Sequence, residues 1–445
     1  MAEKAKTLRK INDIFKPEPL TPDKMSFYQE TAKVRDNNLY EYHDMLFEQI
    51  VDADEPMHFL AIGHGGCGKS TEIHILAEKL KNEAKTPSII INATKELNMT
   101  DFSYVDVFIL IVEHLIKYAN DSGITVNKRI ISAFNKALST KTMVEYRTED
   151  YNTAIEAGVE AAFSPISFLE FMSKISTSAR MDSGLRKEMR SELSPKISDI
   201  VESVNALIYE IKKVRKNIVI MMDGLEKCVH EHVRALFINN GQILASIKTH
   251  MVIACPISIY RSSDGSMLQS YFSQATLMPM IKTHEPGLAS TENDKGAMVV
   301  KELVLKRVEP SLFEDGILEK IVNMGGGHLR DTFKLLKDIA FHAYMSKKEI
   351  IDEDSFNANV NAFAADIFLR AKSELYPTLK QIYDGNHNVR NDNSLNELLY
   401  AGAVFEYNGK RWVDLHPAIR YYVDENQGVL ESDIKNKEVP SSGQI

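Results

Sequence analysis

The sequence is poor in cysteine: Cys67, Cys228 and Cys255 are its only three, they lie far apart, and none belongs to a C-x-x-C pair. That argues against both a disulfide framework and a thiolate zinc site, and it favours a reducing, cytoplasmic setting. No hydrophobic run approaches the length of a membrane span. The longest, Val107 to Val112, is closed off by Asp106 and Glu113, so a buried helix is expected there and no membrane partner. Met1 to Lys16 lacks the apolar core of a secretory leader. Positive charge is in deficit too, with a net charge of −9, which argues against a surface devoted wholly to nucleic acid. There is no long polar repeat. With 44% hydrophobic and 26% charged residues over 445 positions, the composition is that of a globular protein of two or three domains.

What is present is one strong motif. Gly63-His64-Gly65-Gly66-Cys67-Gly68-Lys69-Ser70 fits the phosphate-binding pattern G-x-x-x-x-G-K-[ST] without a mismatch. The apolar stretch Met57 to Ile62 precedes it, and Ile73, Leu76, Ala77 and Leu80 follow at helical spacing. The octet therefore sits at a strand-to-helix turn, the context the motif requires. Glycines there let backbone N–H groups converge on phosphate oxygens, and the helix adds the positive end of its dipole. Lys69 is expected to reach the β- and γ-phosphates and Ser70 to help hold Mg²⁺.

Four further strands are expected: Pro87–Asn92, Asn217–Met222, Met251–Pro256 and Thr276–Ile281. The third strand of the core, Asn217–Met222, ends in Asp223-Gly224-Leu225-Glu226, an apolar run delivering an acid to a strand's C-terminal edge, where Asp223 would join the Mg²⁺ shell. Gly224 stands where a catalytic glutamate often follows, leaving Glu226 either to curl back as the base or to be an ordinary exposed acid. After the fourth strand, Cys255, Ser258 and Arg261 read as ordinary strand-end residues. Pro279 should place the fifth strand at a sheet edge.

The rest divides readily. Residues 1–38 read as an N-terminal arm, its first 24 residues loose, with Arg35 solvated near its end. The core spans 39–285, with a helical insertion at about 120–215. A helical lid covers 296–350, where Gly325-Gly326-Gly327-His328-Leu329-Arg330 opens a helix carrying Lys334 and Lys337 on the side of Arg330. The glycines would let Arg330 approach a γ-phosphate. From 352 to 422, helices precede two alternating runs joined by Asn408-Gly409, a strong hairpin signal and the order of a winged-helix module. Five basic residues (among them Lys410 and Arg411 at the hairpin tip) balance five acidic ones between Leu379 and Val423, so protein contact is expected ahead of DNA. Residues 424–445 read as a disordered tail.

These motifs resemble an AAA+ ATPase close to the border with the STAND group of signalling ATPases, over roughly residues 35 to 422. The terminal module is similar to the winged helix of the origin-recognition and STAND branches. The resemblance implies a five-stranded parallel sheet in the order 5-1-4-3-2, ATP and Mg²⁺ as cofactors, and phosphate contacts along Gly63, His64, Gly65, Gly66, Cys67, Gly68, Lys69, Ser70 and Thr71. It makes Arg330 a sensor of nucleotide state and implies a homo-oligomer with a protein partner or effector. The expected function is an ATP-hydrolysing switch, slow turnover following from Gly224, with bacterial defence or stress signalling as a setting by analogy. The alternatives are a DNA-loading initiator ATPase and a nucleotide-bound scaffold that does not hydrolyse.

Overall fold

The computed structural model describes residues 3–16, 18–36, 39–145, 149–156, 164–286, 294–407 and 412–431. Its principal elements run α1 (Leu8–Ile14), β1 (His58–Gly63), α2 (Lys69–Asn82), β2 (Ser88–Asn92), α3 (Tyr104–Asp121), α4 (Pro165–Met181) and α5 (Ile197–Val214). They continue β3 (Val219–Asp223), β4 (His250–Pro256), β5 (Gln274–Leu277), α6 (Lys295–Leu305), α7 (Leu329–Met345), α8 (Asn393–Ala401), β6 (Val404–Tyr407), β7 (Trp412–Leu415) and α9 (Pro417–Glu425).

The first five strands form one sheet in the order β2-β3-β4-β1-β5, every pair parallel. This is the expected order read from its other edge. Each of β1, β3 and β4 is buried along its whole length, because helices cover both faces of a parallel sheet. That is why these strands read as unbroken apolar runs. Fully burying each such Ile, Leu or Val is worth about 1.5–3 kcal/mol. Register places Gly63 opposite Pro256 and Asn92 opposite Asp223, so the P-loop, the acid and the ends of β2 and β4 share the sheet's C-terminal edge. The fifth strand is shorter than expected: it ends at Leu277, and Pro279 lies past it, where a missing N–H costs no ladder bond.

Helix α3 is apolar nearly all round because it is sandwiched between β2 and α4. Ser103 and Asp106 form a capping box at its start. Asp101 and Asp106 also receive Arg190 (2.6 and 2.8 Å), and Arg186 reaches Asp101 at 2.8 Å, so the helical insertion is pinned back onto the core.

Two expectations are corrected at the chain's ends. The described part of the first 24 residues, 3–16 and 18–24, is not loose: α1 packs Leu8 and Ile11 against α7, and Ala5 bridges Val308. Past α9, residues 424–431 remain folded, with Leu430 fully buried, because that leucine joins the core of the C-terminal helices. Residues 432–445 lie outside the described residues. The hairpin β6–β7 is antiparallel, with Tyr407 opposite Trp412; its turn, including Asn408, Gly409, Lys410 and Arg411, also lies outside them. Both strands are buried, since Phe405, Tyr407 and Trp412 share an apolar cluster with Phe59, Ala61 and Met278 of the core.

Candidate functional site

The P-loop turns between β1 and α2. At Gly66 φ is +91°, and a Cβ there would stand 2.7–2.9 Å from the His328 ring and the Arg330 Cβ. Glycine is thus required twice over: by the backbone conformation and by the close approach of α7. Lys69 is buried, and its Nζ donates to Gly63 O at 3.0 Å and His64 O at 2.8 Å. The ammonium lies across the loop, within the cradle a phosphate would fill.

Ser70 and Asp223, neighbours only in three dimensions, meet directly: Ser70 Oγ donates to Asp223 Oδ1 at 2.9 Å. A hydroxyl and a carboxylate side by side at a sheet's C-terminal edge suit Mg²⁺, a hard ion that takes few protein oxygens and keeps the rest for water and phosphate. Burial raises the Asp223 pKa, and the nearby Glu226 raises it further; a cation at this position would relieve both. Gly224, at φ +88°, turns the chain where a Cβ would meet Thr94 at 2.9 Å. That turn brings Glu226 back into the site. Its side chain is buried, and among the described residues its Oε2 has no hydrogen-bond partner. A buried carboxylate oxygen left unpaired is costly, and the residue that carries it lines a cavity.

That cavity has a volume of about 340 Å³ and is lined by Gly66, Gly68, Lys69, Ser70 and Thr71 on the loop side, with Glu226 and Arg330 beside them. Six of its lining residues are cationic and two are acidic, in a chain of net charge −9, so the site concentrates positive charge where a polyphosphate would sit. Arg330 Nη1 lies 3.8 Å from where a Cβ on Gly65 would stand. The groups expected from sequence at Lys69, Ser70, Thr71, Glu226 and Arg330 therefore line one space, with Asp223 behind it on Ser70.

Other expectations are revised by the structure. His64 turns its side chain away from the cavity: Nε2 accepts from Glu406 N of the hairpin at 2.9 Å. Burial, then His328 and Lys69, lower its pKa to about 3. The Cys67 side chain is buried in the core. Ser258 and Arg261 are not revised: as expected of strand-end residues, Ser258 Oγ pairs with His230 Nε2 at 3.0 Å and the Arg261 guanidinium with Glu406 (Nε to Oε2 2.9 Å), and neither lines the cavity. Arg35, expected to be solvated, is only 5% exposed. It donates to Thr31 Oγ1 at 2.9 Å, Pro279 O at 2.5 Å and Cys67 O at 2.6 Å, bracing the P-loop against the strand β5 edge.

Two contributors were not foreseen. One is the N-terminal arm. Phe15 meets the Phe333 ring edge-on at 4.8 Å, and Phe15, Lys16, Glu18 and Pro19 wall the cavity. The spacing of Leu8, Ile11 and Phe15 was the available signal, masked by the surrounding polar residues and prolines. The other is His328, whose Nε2 donates to Gly65 O while its Nδ1 lies 2.9 Å from Asp331 Oδ2. Burial disfavours the Asp331 carboxylate, yet His328, His416 and Arg370 outweigh it and hold its pKa far down. Through Asp331 the P-loop, the lid helix and the C-terminal module form one connected polar network, which no sequence pattern announces.

Several known structures resemble this chain loosely. Cdc6p from Pyrobaculum aerophilum shares 12% identity at a TM-score of 0.39, covering 96% of this chain and 98% of its own. The ORC2 protein of Aeropyrum pernix shares 12% at 0.40, covering 92% and 99%. The RuvB Holliday junction branch migration motor of Thermotoga maritima shares 14% at 0.35, covering 92% and 98%. No curated protein matches in sequence. The family comparison is specific: residues 40–255 match the KAP family P-loop domain, the stretch that runs from the helix before β1 to the end of β4 and contains Lys69, Ser70, Asp223 and Glu226. Over residues 40–255, just under half of its length, the chain is thus similar to the KAP family P-loop domain.

Proposed function

We propose that this protein is an ATP-binding, ATP-hydrolysing switch whose lid and C-terminal hairpin respond to the state of the nucleotide. The observation that carries the reading is the convergence of the Gly66–Thr71 cradle, Glu226 and Arg330 on one cavity, with Asp223 hydrogen-bonded to the cavity-lining Ser70. Bound ATP·Mg²⁺ would supply the phosphoanhydride bond and much of the charge neutralisation. The rest is done by the chain. The loop amides and the N-terminus of α2 bind phosphate oxygens. Lys69 would exchange the Gly63 and His64 carbonyls for phosphate oxygens, and Ser70 and Asp223 would hold Mg²⁺. Glu226 would orient a water and take its proton through its carboxylate.

Coupling to the rest of the molecule follows from shared atoms. The carbonyls that Lys69 releases belong to Gly63 and His64, and His64 also accepts from Glu406 of the hairpin, while Gly65 accepts from His328 of the lid. A ligand that redraws the loop must therefore alter the docking of both. The buried state of β6 and β7 favours this reading over direct use of the hairpin on DNA. Single-turnover phosphate release by the full chain tests it. Release expected with wild type and lost in Glu226→Gln supports the switch, whereas tight binding without release in wild type leaves only a nucleotide-bound scaffold.

A further inference from the structure

Behind the phosphate cavity lies a smaller chamber of about 100 Å³, sharing Gly68, Thr71, Leu329 and Phe333 with it. Lys69, Ser70, Glu226 and Arg330 line only the first space, while Phe27, Tyr28, Leu303 and Arg307 line only the second. The sequence of walls thus runs from the phosphate groups, past Thr71, into a pocket of mixed lining, where Glu18, Glu72 and Arg35 sit beside an apolar group. Leu20, Phe27, Leu303, Leu329 and Phe333 are surfaces suited to the faces of an aromatic ring.

One group in that chamber has no account from the fold. Arg307 is 6% exposed, yet among the described residues its guanidinium makes one hydrogen bond, from Nη1 to Leu303 O at 2.7 Å, and no ion pair. Its remaining contacts are with the Phe27 and Phe333 rings, at 5.3 and 5.6 Å. Burial alone lowers its pKa, to about 10. A buried cation without a carboxylate is expensive to keep. Its neighbour in the same chamber, Arg35, shows the contrast, with all three of its donor directions met by protein oxygens. None of the Arg307 nitrogens is a fully enclosed orphan, so the unused donors open onto the chamber.

We propose that Arg307 recognises the base of the nucleotide, donating through its guanidinium to an acceptor edge of a purine seated between Phe333 and the apolar wall. The inference rests on the cavity being a nucleotide site. An arginine offers only donors, so the edge it faces must be one of acceptors, such as a purine ring nitrogen. The two flanking rings hold the guanidinium plane in place. A purine fills the chamber to its far wall, where the shorter pyrimidine leaves the donors unmet.

The test measures binding of ATP, CTP and inorganic tripolyphosphate, each with Mg²⁺, to the full chain, together with the unfolding temperature of the unliganded protein. Wild type should prefer ATP to CTP by about 10-fold or more. Arg307→Met, of similar length and apolar, should weaken ATP by about 10- to 100-fold, erase the preference and leave tripolyphosphate unchanged. Its unliganded unfolding temperature should hold or rise, since a buried unpaired charge is removed. Arg307→Lys, which keeps the charge but loses the planar fork, should fold normally and lose most of the preference. Equal ATP affinity in wild type and Arg307→Met, an equal loss for ATP and tripolyphosphate, or no ATP preference in wild type would each overturn the assignment. Failure of wild type to bind any of the three would instead remove the nucleotide site itself.

Discussion

The two walls of the inner chamber each carry a buried arginine, and they are built on opposite plans. On one, Arg35 spends its guanidinium on Thr31, Pro279 O and Cys67 O and so fastens the P-loop to the sheet edge. On the other, Arg307 is equally enclosed and bonded once. Burial by itself does not separate a structural cation from one kept for a ligand; the count of satisfied donors does. The same distinction runs through the site. Asp331 is fully engaged with His328, Arg370 and His416, while among the described residues Glu226 keeps one buried oxygen unpaired.

The comparison can be broken most decisively at Lys69, which belongs to both plans, satisfying loop carbonyls now and phosphate under the proposed function. Lys69→Ala should weaken ATP binding by about 100- to 1000-fold, read by calorimetric titration; unaltered affinity would place the phosphates elsewhere. Glu226→Gln comes next. It should slow single-turnover hydrolysis by about 100-fold while ATP affinity changes little, and a matching loss of affinity would make Glu226 a structural group like Asp331. Arg35→Met should cost about 2 kcal/mol of stability, because it strands two buried carbonyls. If chemical denaturation shows it as harmless as Arg307→Met is expected to be, the contrast between the walls fails.

The smallest effect concerns acid. Burial lowers the pKa of His64 to about 3 and, with smaller contributions from neighbours, those of His250 and His416 to about 4, from an ordinary 6.5. The unfolded chain therefore binds protons first as pH falls, and stability should decline progressively from about pH 6.5 toward pH 4. Denaturation midpoints constant over that range would show that these rings are not held neutral.

Much of the fold was legible in the residues. The sheet order and the strand ends carrying Gly63 and Asp223 follow from period, punctuation and motif, because a buried parallel strand must be apolar throughout and a P-loop must be glycine-rich. Glu226 illustrates the limit. Its position after Gly224 allowed either an exposed acid or a group in the site, and only the positive-φ turn against Thr94 settles its direction. Arg35 was misread because a lone arginine in a polar stretch carries no sign of the distant carbonyls it will meet. The arm was missed for a similar reason: α1 is too short to announce itself, and it is held by α7 rather than by its own propensity.

By itself, then, the sequence determined the phosphate cradle, the parallel sheet and the acid at its edge, since these depend on contacts between near neighbours and on local conformational demand. Tertiary structure alone decided which charges were satisfied: that Arg35 is braced and Arg307 is not, and that the hairpin reaches His64 from 342 residues away. Those outcomes depend on which distant atoms arrive within about 3 Å, and no local pattern encodes that.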